Sequence, residues 1–247
     1  MIENSPIIVT GGLGFIGKNF CKELSLQFSE KIILDKITYA SDLDFYYHVL
    51  KPMGWKLIIE DINSSRISGY FRDFKSATFV HFAAESHVDH SFENADEFLR
   101  SNAMGTQRII NLCMQNNFKL LHISTDEVYG ETVEHQADER SPLMPTNPYA
   151  ATKAAADIFV QTHIRCFGLD AKIIRANNIF GSRQLSEKVI PKAIKSAADG
   201  EVFSIHGKKQ IKRHFLHTAD FTSALEMLLS SWKDLKSNIF NIAVEGS

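Results

Sequence analysis

Five side chains that can move or stabilise a proton lie close together in the middle of the chain. Thr125, Asp126 and Glu127 are consecutive in STDEVYG, and Tyr149 and Lys153 follow in NPYAATK. Residues four apart share one face of a helix, so the Lys153 ammonium can approach the Tyr149 phenol. Because a nearby cation favours phenolate, we expect a lowered pKa for Tyr149, which would make it a better base toward an alcohol. The Thr125 hydroxyl could hydrogen-bond the same alcohol oxygen.

The adjacent carboxylates indicate a second proton-transfer task. Oxidation of an alcohol needs the tyrosine, the lysine and the hydroxyl, and leaves Asp126 and Glu127 without a role. For acid–base work one carboxyl must be protonated while the other is ionised, which like-charge repulsion and partial burial can arrange. Neighbouring side chains on a strand diverge, so a turn after Thr125 is required. Two plainer interpretations stay open: a solvated acidic turn or helix cap, and a chance YxxxK pair on a structural helix.

The segment TGGLGFIG predicts a dinucleotide site. Gly11, Gly14 and Gly17 follow an apolar strand-like run and open a helix, where glycine permits a tight turn and the helix N-terminus favours a pyrophosphate. Asp35 ends the next strand-like run, where its carboxylate would bind ribose hydroxyls and repel a 2′-phosphate. The pattern favours NAD over NADP, although the Lys36 cation could accept a phosphate. A turn or helix cap is the structural alternative for Asp35.

Short apolar runs alternate with longer segments of helical periodicity. Such strands suit a parallel sheet covered on both faces, and their order predicts an α/β fold with a Rossmann-like doubly wound parallel sheet and a smaller C-terminal substrate lobe. We expect an NAD-binding domain carrying the catalytic residues over 1–175 and a substrate-binding lobe over 176–247, with a soft, interleaved boundary. The expected strands are 7–9, 32–34, 57–59, 79–82, 120–124, 171–174 and 239–242, with a short apolar run at 202–205. The expected helices are 98–113, 150–166, 188–198 and 219–229.

The composition argues against several kinds of partner. The 27 basic and 29 acidic residues give a formal charge of -2, so we expect no nucleic-acid or membrane-surface binding. The first residues lack the pattern of a signal peptide, and no segment is long and apolar enough to span a bilayer. Cys21, Cys113 and Cys166 are isolated in sequence, which fits neither a disulfide framework nor a zinc finger. We therefore expect a cytoplasmic protein.

Histidine is frequent enough to raise the question of a metal site. The chain has 10 histidines, of which His87 and His90 are three apart and His81 lies upstream. A convincing site would need three ligands on one helix face. We predict no metal.

Longer sequence runs connect these features to a known family. The glycine turn, the YxxxK pair and the Thr125 hydroxyl resemble the extended short-chain dehydrogenase/reductase superfamily. LDKITYAS, HFAAESHVDHS, STDEVYG, NPYAATKAAAD and NNIFGSRQLSEKVIP resemble, in order and over nearly the whole chain, the dTDP-glucose 4,6-dehydratase family. ESHVD together with TDEVYG is far more specific than the superfamily motifs.

The resemblance implies a three-stage reaction at one site. Tyr149, helped by Lys153 and Thr125, would deprotonate the C4 hydroxyl of a hexose while a hydride passes to NAD. The new ketone acidifies the C5 proton, which Glu127 would remove as base while Asp126 protonates the departing C6 hydroxyl. Hydride then returns to C6, giving a 4-keto-6-deoxy sugar.

The same resemblance assigns binding residues. Arg213 is a natural clamp for the diphosphate of a nucleotide-diphosphate sugar. A homodimer is implied through the helices at 98–113 and 150–166, whose apolar excess could equally be core. The implied cofactor residues are Gly11, Gly14, Phe15, Ile16, Gly17, Asp35, Lys36, Thr38, Asp61, Ile62, Ala83, Ala84, Ser86, Ser101, Tyr149 and Lys153. The implied substrate residues are Ser86, Thr125, Asn178, Lys188, Arg213 and Asn241.

Three departures bear on the substrate. Ser204, Ile205 and His206 stand where the family has Pro and Tyr before a GKG-type turn, and His214 replaces the usual acid. The chain stops at NIAVEGS, where the family continues into a segment that completes the nucleotide pocket. We therefore expect a shortened substrate lobe: a naturally short relative, a truncated form, or a pocket closed by another subunit.

Two alternatives in function stay open. Another sugar-nucleotide enzyme of the superfamily, such as a 4-epimerase or decarboxylase, would share Tyr149 and Lys153 without needing the acid–base pair. A non-catalytic NAD-binding regulator would bind the cofactor without turnover.

Overall fold

Parallel strands form the centre of the molecule. The computed structural model describes residues 5–130, 137–203 and 214–244. Within them a seven-stranded sheet has the order β3-β2-β1-β4-β5-β6-β9, and β7 pairs with β8 in a separate sheet. The strands are β1 (Ile7–Thr10), β2 (Lys31–Asp35), β3 (Trp55–Ile59), β4 (Thr78–His81), β5 (Lys119–Thr125), β6 (Ala171–Ala176), β7 (Asn178–Phe180), β8 (Phe215–His217) and β9 (Ile239–Ile242). Every pairing is parallel, which confirms the Rossmann-like doubly wound sheet.

Helices connect the strands and cover both faces of the sheet. In the described residues they are α1 (Phe15–Glu23), α2 (Leu43–Phe45), α3 (Ile67–Tyr70), α4 (Val88–Glu93), α5 (Ala95–Phe98), α6 (Gly105–Asn116), α7 (Pro148–Phe167), α8 (Val189–Asp199) and α9 (Thr218–Ser230). Wider turns of π-helix occupy Tyr46–Leu50 and Leu99–Met104, and a short 3₁₀ helix spans Asp126–Tyr129. The four helices expected from periodicity are all present.

Two hydrophobic cores lie on opposite faces of the sheet. Because successive strand side chains point to opposite faces, Ile7 and Val9 of β1 enter one core and Ile8 enters the other. The first core contains side chains of α1 and α9, and the second contains side chains of α6 and α7. Burial of both faces explains why the strands read as continuous apolar runs.

The strand order places a crevice at the carboxyl ends of β1 and β4. After β3 the chain crosses β1 and adds β4 on its other side, so the order reverses between these two strands. Ligands of open α/β sheets bind at such a switch point. The end of β5, which carries Thr125, lies beside β4 at the same edge.

The chain after residue 175 contributes to both parts of the molecule. β9 pairs with β6, with Ile173 opposite Ile239, and α9 packs on α1. The strand at 239–242 therefore lies in the large sheet, whereas the sequence pattern had grouped it with the smaller lobe. The apolar side chains of β6 and β9 are better buried when the two strands pair in the large sheet than when β9 lies apart from it. The division at residue 175 stays a prediction. Of the run at 202–205, the described residues 202 and 203 form no strand, and 204 and 205 lie outside the described part.

The described helices include none long and apolar enough to cross a membrane. Cys21, Cys113 and Cys166 are free thiols, the first two buried.

Candidate active site

A cavity of about 400 Å³ lies along the crevice at the carboxyl edge of the sheet. Its walls come from the β1–α1 turn, the ends of β2, β4 and β5, the start of α7, and the segment that leads into α8. This is the position that the switch point of the sheet defines.

The glycine-rich turn is built for close approach of the backbone. Gly11 has φ 67°, and a Cβ there would lie 2.7 Å from the Cα and N atoms of Ala83. A Cβ on Gly17 would collide with the carbonyl oxygen of Gly11. Gly14 is the N-cap of α1 and no side chain caps the helix. The turn thus presents the start of α1, with its partial positive charge, to the cavity, which suits a pyrophosphate.

Asp35 organises the loop after β2. One carboxylate oxygen accepts from the Leu13 N–H at 3.1 Å, and the other accepts from the Ile37 N–H and the Ser41 hydroxyl, both at 2.9 Å. The side chain therefore has the structural role proposed as its alternative, and it also lines the cavity. The neighbouring Lys36 amine donates to Glu85 at 2.9 Å.

The helix that carries Tyr149 and Lys153 starts with strong local signals. Asn147 is the N-cap, and its Oδ1 accepts from the Ala150 N–H at 2.8 Å, while Pro148 occupies the first helical position. The alanine-rich segment that follows has high helix propensity. These signals fix the start of α7 at the edge of the cavity.

Lys153 is buried and bonded to the sheet. Its side chain is 4% exposed and Nζ donates to the main-chain oxygen of Ile123 at 2.6 Å. Burial lowers the pKa of Lys153 to about 8, against a smaller opposing effect of Asp157.

The expected lowering of the Tyr149 pKa is wrong for this structure. Burial raises the pKa of the phenol above its usual value, and the charges of Glu127 and Asp126 raise it further, while a hydrogen bond with Thr125 opposes the shift. The helical spacing indicated that Lys153 is near Tyr149, but it did not indicate that the charges of two acids would act on the same phenol.

The acidic segment turns as the sequence required. β5 ends at Thr125, which caps the 3₁₀ helix by accepting from the Glu127 N–H at 3.3 Å, so neither acid is the cap. Asp126 accepts from the Asn177 side-chain amide at 2.9 Å, and Glu127 accepts from the Asn147 side-chain amide at 3.0 Å. Each carboxylate therefore has its own amide donor.

The structure brings most of the predicted site residues together. The whole predicted cofactor set lines the cavity, as do Thr125, Glu127, Asn178 and Lys188. Asp126 is outside the lining but its charge acts on Tyr149. Arg213 lies outside the described residues. Both ring nitrogens of His81 are hydrogen-bonded to Thr10 and Thr106, and the described residues contain no cluster of three metal-ligating side chains.

Asn241 does not lie in the cavity. Its Oδ1 accepts from the Tyr129 hydroxyl at 2.8 Å, and that hydroxyl accepts from Arg175 at 2.8 Å. Arg175 also forms a buried two-point ion pair with Asp157. Asn241 thus joins β9 to the end of the acidic turn.

Sequence reasoning missed three asparagines that organise the site. Asn147 and Asn177 bind the two acids, and Asn102 uses its amide to bond both the N–H and the carbonyl of Glu85, at 2.8 and 3.0 Å. Asn147 was recognisable as an N-cap, because it precedes a proline and an alanine-rich run. Nothing in the sequence pairs Asn102 with Glu85.

A doubly wound parallel sheet with a glycine-rich first turn and a Tyr–Lys helix defines a Rossmann-like protein of the short-chain dehydrogenase/reductase type. The model of the NAD dependent epimerase/dehydratase family matches residues 7–243. The chain belongs to that family.

Individual relatives show which members of the family this chain resembles. A dTDP-D-glucose 4,6-dehydratase of Dictyostelium discoideum is 36% identical over 97% of this chain and 58% of its own length. A trifunctional UDP-glucose 4,6-dehydratase/UDP-4-keto-6-deoxy-D-glucose 3,5-epimerase/UDP-4-keto-L-rhamnose-reductase of Arabidopsis thaliana is 36% identical over 97% of this chain and 37% of its own. The solved structure of DesIV, a dTDP-glucose 4,6-dehydratase from Streptomyces venezuelae with NAD bound, has a TM-score of 0.86 and 33% identity, and the similarity covers 96% of this chain and 75% of that one. The chain thus spans little more than half of the first of these relatives.

Proposed function

We propose that the chain catalyses the NAD-dependent dehydration of a nucleotide-diphosphate hexose, dTDP-glucose or a related sugar, to its 4-keto-6-deoxy product. The observation that carries the proposal is that Glu127 lines the same cavity as Thr125, Tyr149 and Lys153, with Asp126 beside it. An enzyme that only moved a hydride would have no use for acids at the phenol. The dehydratase relatives support the same choice.

The cavity fits a dinucleotide. The glycine-rich turn and the uncapped start of α1 suit a pyrophosphate, and the Asp35 carboxylate suits ribose hydroxyls. Lys36 is paired with Glu85, so its cation is not free for a 2′-phosphate, which supports NAD. Bound NAD would supply the hydride acceptor and later donor, and its oxidised form would bring a positive charge into the cavity.

Tyr149 is the base for the C4 hydroxyl in this proposal. Burial and the two acids favour the neutral phenol. Only the phenolate can take the C4 hydroxyl proton, so Tyr149 must first lose its own proton to solvent, and positive charge nearby favours that loss. Lys153 supplies part of that charge, since a pKa of about 8 leaves most of its amine protonated at neutral pH. Thr125, which lines the same cavity and whose hydroxyl lowers the pKa of Tyr149, orients the C4 hydroxyl.

The two acids perform the elimination. Once C4 is a ketone, the adjacent C5 proton is acidic, and Glu127 removes it from within the cavity. Asp126 protonates the C6 hydroxyl as it leaves as water. Return of the hydride to C6, with the Glu127 proton going back to C5, gives the 4-keto-6-deoxy product. Ser86, Asn178 and Lys188 line the cavity and hold the sugar nucleotide, and Arg213 would clamp its diphosphate.

Incubation with a panel of nucleotide sugars, followed by mass spectrometry, tests the reaction. Loss of one water supports dehydration, and a product of unchanged mass indicates an epimerase. NAD binding without turnover would indicate a regulator. Glu127→Gln should abolish loss of water in a folded protein, and Tyr149→Phe should block the first oxidation. Normal dehydration by either variant contradicts the assignment.

We further propose a cytoplasmic homodimer with a dinucleotide-binding part over 1–175 and a substrate-binding part over 176–247. Support for the dimer comes from exposed apolar side chains near the surfaces of the two long helical segments, with Leu99 49%, Met104 53% and Ile158 48% exposed. Sedimentation velocity should give twice the chain mass, and a monomer at micromolar concentration would exclude it. Cell fractionation tests the compartment.

A further inference from the structure

Asn147 connects the two halves of the proposed chemistry through one side-chain amide. Its Oδ1 accepts from the Ala150 N–H at 2.8 Å and so caps the helix that carries Tyr149 and Lys153. Its Nδ2 donates to a carboxylate oxygen of Glu127 at 3.0 Å. The same planar group thus holds the start of the helix and the acid that faces it.

We propose that Asn147 is a positioning residue that fixes the Glu127 carboxylate for removal of the C5 proton, an inference that rests on the proposed function. A base must be held within a few tenths of an ångström of its productive place for efficient proton transfer. Glu127 sits in a short 3₁₀ helix and has two free side-chain rotations before its carboxylate, so the backbone alone does not fix it. The Asn147 amide supplies the missing restraint.

The amide at position 147 does more than a helix cap requires. Serine and aspartate cap helices as well as asparagine does, but serine is too short to offer a second group to Glu127. Aspartate has the right length, yet it would place a negative charge against the Glu127 carboxylate. Asparagine combines a cap acceptor with a neutral donor, which is what both neighbours need.

The position of Glu127 also affects the oxidation step. Its charge is the largest of the charge effects that raise the pKa of Tyr149, after burial itself. If the Glu127 carboxylate moves away from Asn147, the elimination changes directly, because Glu127 is its base. The oxidation changes only through the electrostatic effect of the carboxylate on the Tyr149 pKa. Loss of the amide should slow proton removal at C5 much more than hydride transfer from C4.

Asn147→Ser and Asn147→Asp form a matched pair for the test, because both keep the helix cap. Two steps are followed in the full chain with bound NAD and the nucleotide sugar that the wild type dehydrates: the rise of reduced-nicotinamide absorbance, and exchange of the C5 proton with deuterated solvent. We expect Asn147→Ser to slow C5 exchange and loss of water about 100-fold. Hydride transfer should change far less, and Asn147→Asp should be slower still in elimination. Equal slowing of both steps, or no change in either, would overturn the inference.

Crystal structures of the wild type and Asn147→Ser provide a readout that does not depend on turnover. The inference requires one Glu127 side-chain conformation in the wild type and a displaced or divided one in the variant. An unchanged Glu127 conformation overturns it, even if dehydration of the panel sugars has failed and the proposed function has fallen on its own test. A melting temperature close to that of the wild type shows that the cap is retained.

Discussion

The Nζ atom of Lys153 lies 2.6 Å from the main-chain oxygen of Ile123, which ties α7 to the last part of β5. A carbonyl oxygen accepts a hydrogen bond from an amine whether the amine is charged or neutral. The contact therefore fixes the position of the lysine without fixing its charge. Burial then lowers the pKa of Lys153 to about 8.

This buried amine makes folding stability depend on pH. The unfolded lysine has a pKa of about 10.4, so between pH 8 and 10 the unfolded chain binds more protons than the folded chain at this site. The free energy of unfolding should therefore rise with pH in that window, by about 2 kcal/mol between pH 7 and 9.5. Above pH 10 the raised pKa of Tyr149 acts in the opposite direction, because only the unfolded phenol ionises there.

Lys153→Met provides the comparison. Urea denaturation of both proteins at pH 7 and 9.5 measures the two free energies of unfolding. The wild type should gain stability relative to the variant as the pH rises, since all other titrating groups are shared. Parallel changes in the two proteins would show that the Lys153 pKa is not lowered on folding.

The Asn102 side chain should couple the cavity wall at Glu85 to α7. Its buried amide bonds both backbone groups of Glu85 and also donates to the Thr152 hydroxyl at 3.0 Å. Asn102→Ala removes all three bonds and leaves both Glu85 backbone groups without this partner, which should cost about 2 kcal/mol or more of unfolding free energy. The affinity for NAD should fall as well, because residues 83–86 line the cavity.

Asn116→Ala is the control for this experiment. The Asn116 amide donates one hydrogen bond, to the Leu112 carbonyl at the end of α6, and Asn116 is not among the residues that line the cavity. Urea denaturation and calorimetric titration with NAD should show a small stability loss and unchanged affinity. If Asn102→Ala binds NAD as tightly as Asn116→Ala does, the hydrogen bonds of Asn102 to Glu85 do not shape the cavity for NAD.

Much of the fold was predictable because its signals are local. Strands buried on both faces read as unbroken apolar runs, and the turn after Thr125 follows from the divergence of adjacent side chains on a strand. The pairing of β9 with β6 was not predictable, since it joins residues far apart in the chain and has no local signature. The contacts of Asn241 were not predictable for the same reason: its neighbours Tyr129 and Arg175 come from other elements.

The electrostatics of the candidate site were also only partly predictable from the sequence. The types and order of Thr125, Glu127, Tyr149 and Lys153 indicated proton transfer, and these side chains do line one cavity. The direction of the Tyr149 pKa shift depends on burial and on which charge is nearest, and neither can be read from spacing.

The glycine turn should tolerate no side chain at Gly11. Its φ of 67° strains any other residue, and a Cβ would lie 2.7 Å from the backbone of Ala83, which cannot move away as a flexible side chain could. We expect Gly11→Ala to lose at least about 1 kcal/mol of unfolding free energy from the backbone conformation alone. It should also weaken NAD binding, because Ala83 lies in the cavity wall.

Gly69→Ala is the matched substitution: a Cβ there meets no atom within 4 Å, and Gly69 lies in α3. This variant should be neutral or more stable by up to about 1 kcal/mol, since alanine favours the helix. Urea denaturation and NAD titration of the two variants separate the general effect of adding a methyl group from the specific closeness of Gly11 to Ala83. Wild-type NAD affinity in Gly11→Ala would mean that the dinucleotide does not depend on the close approach of this turn.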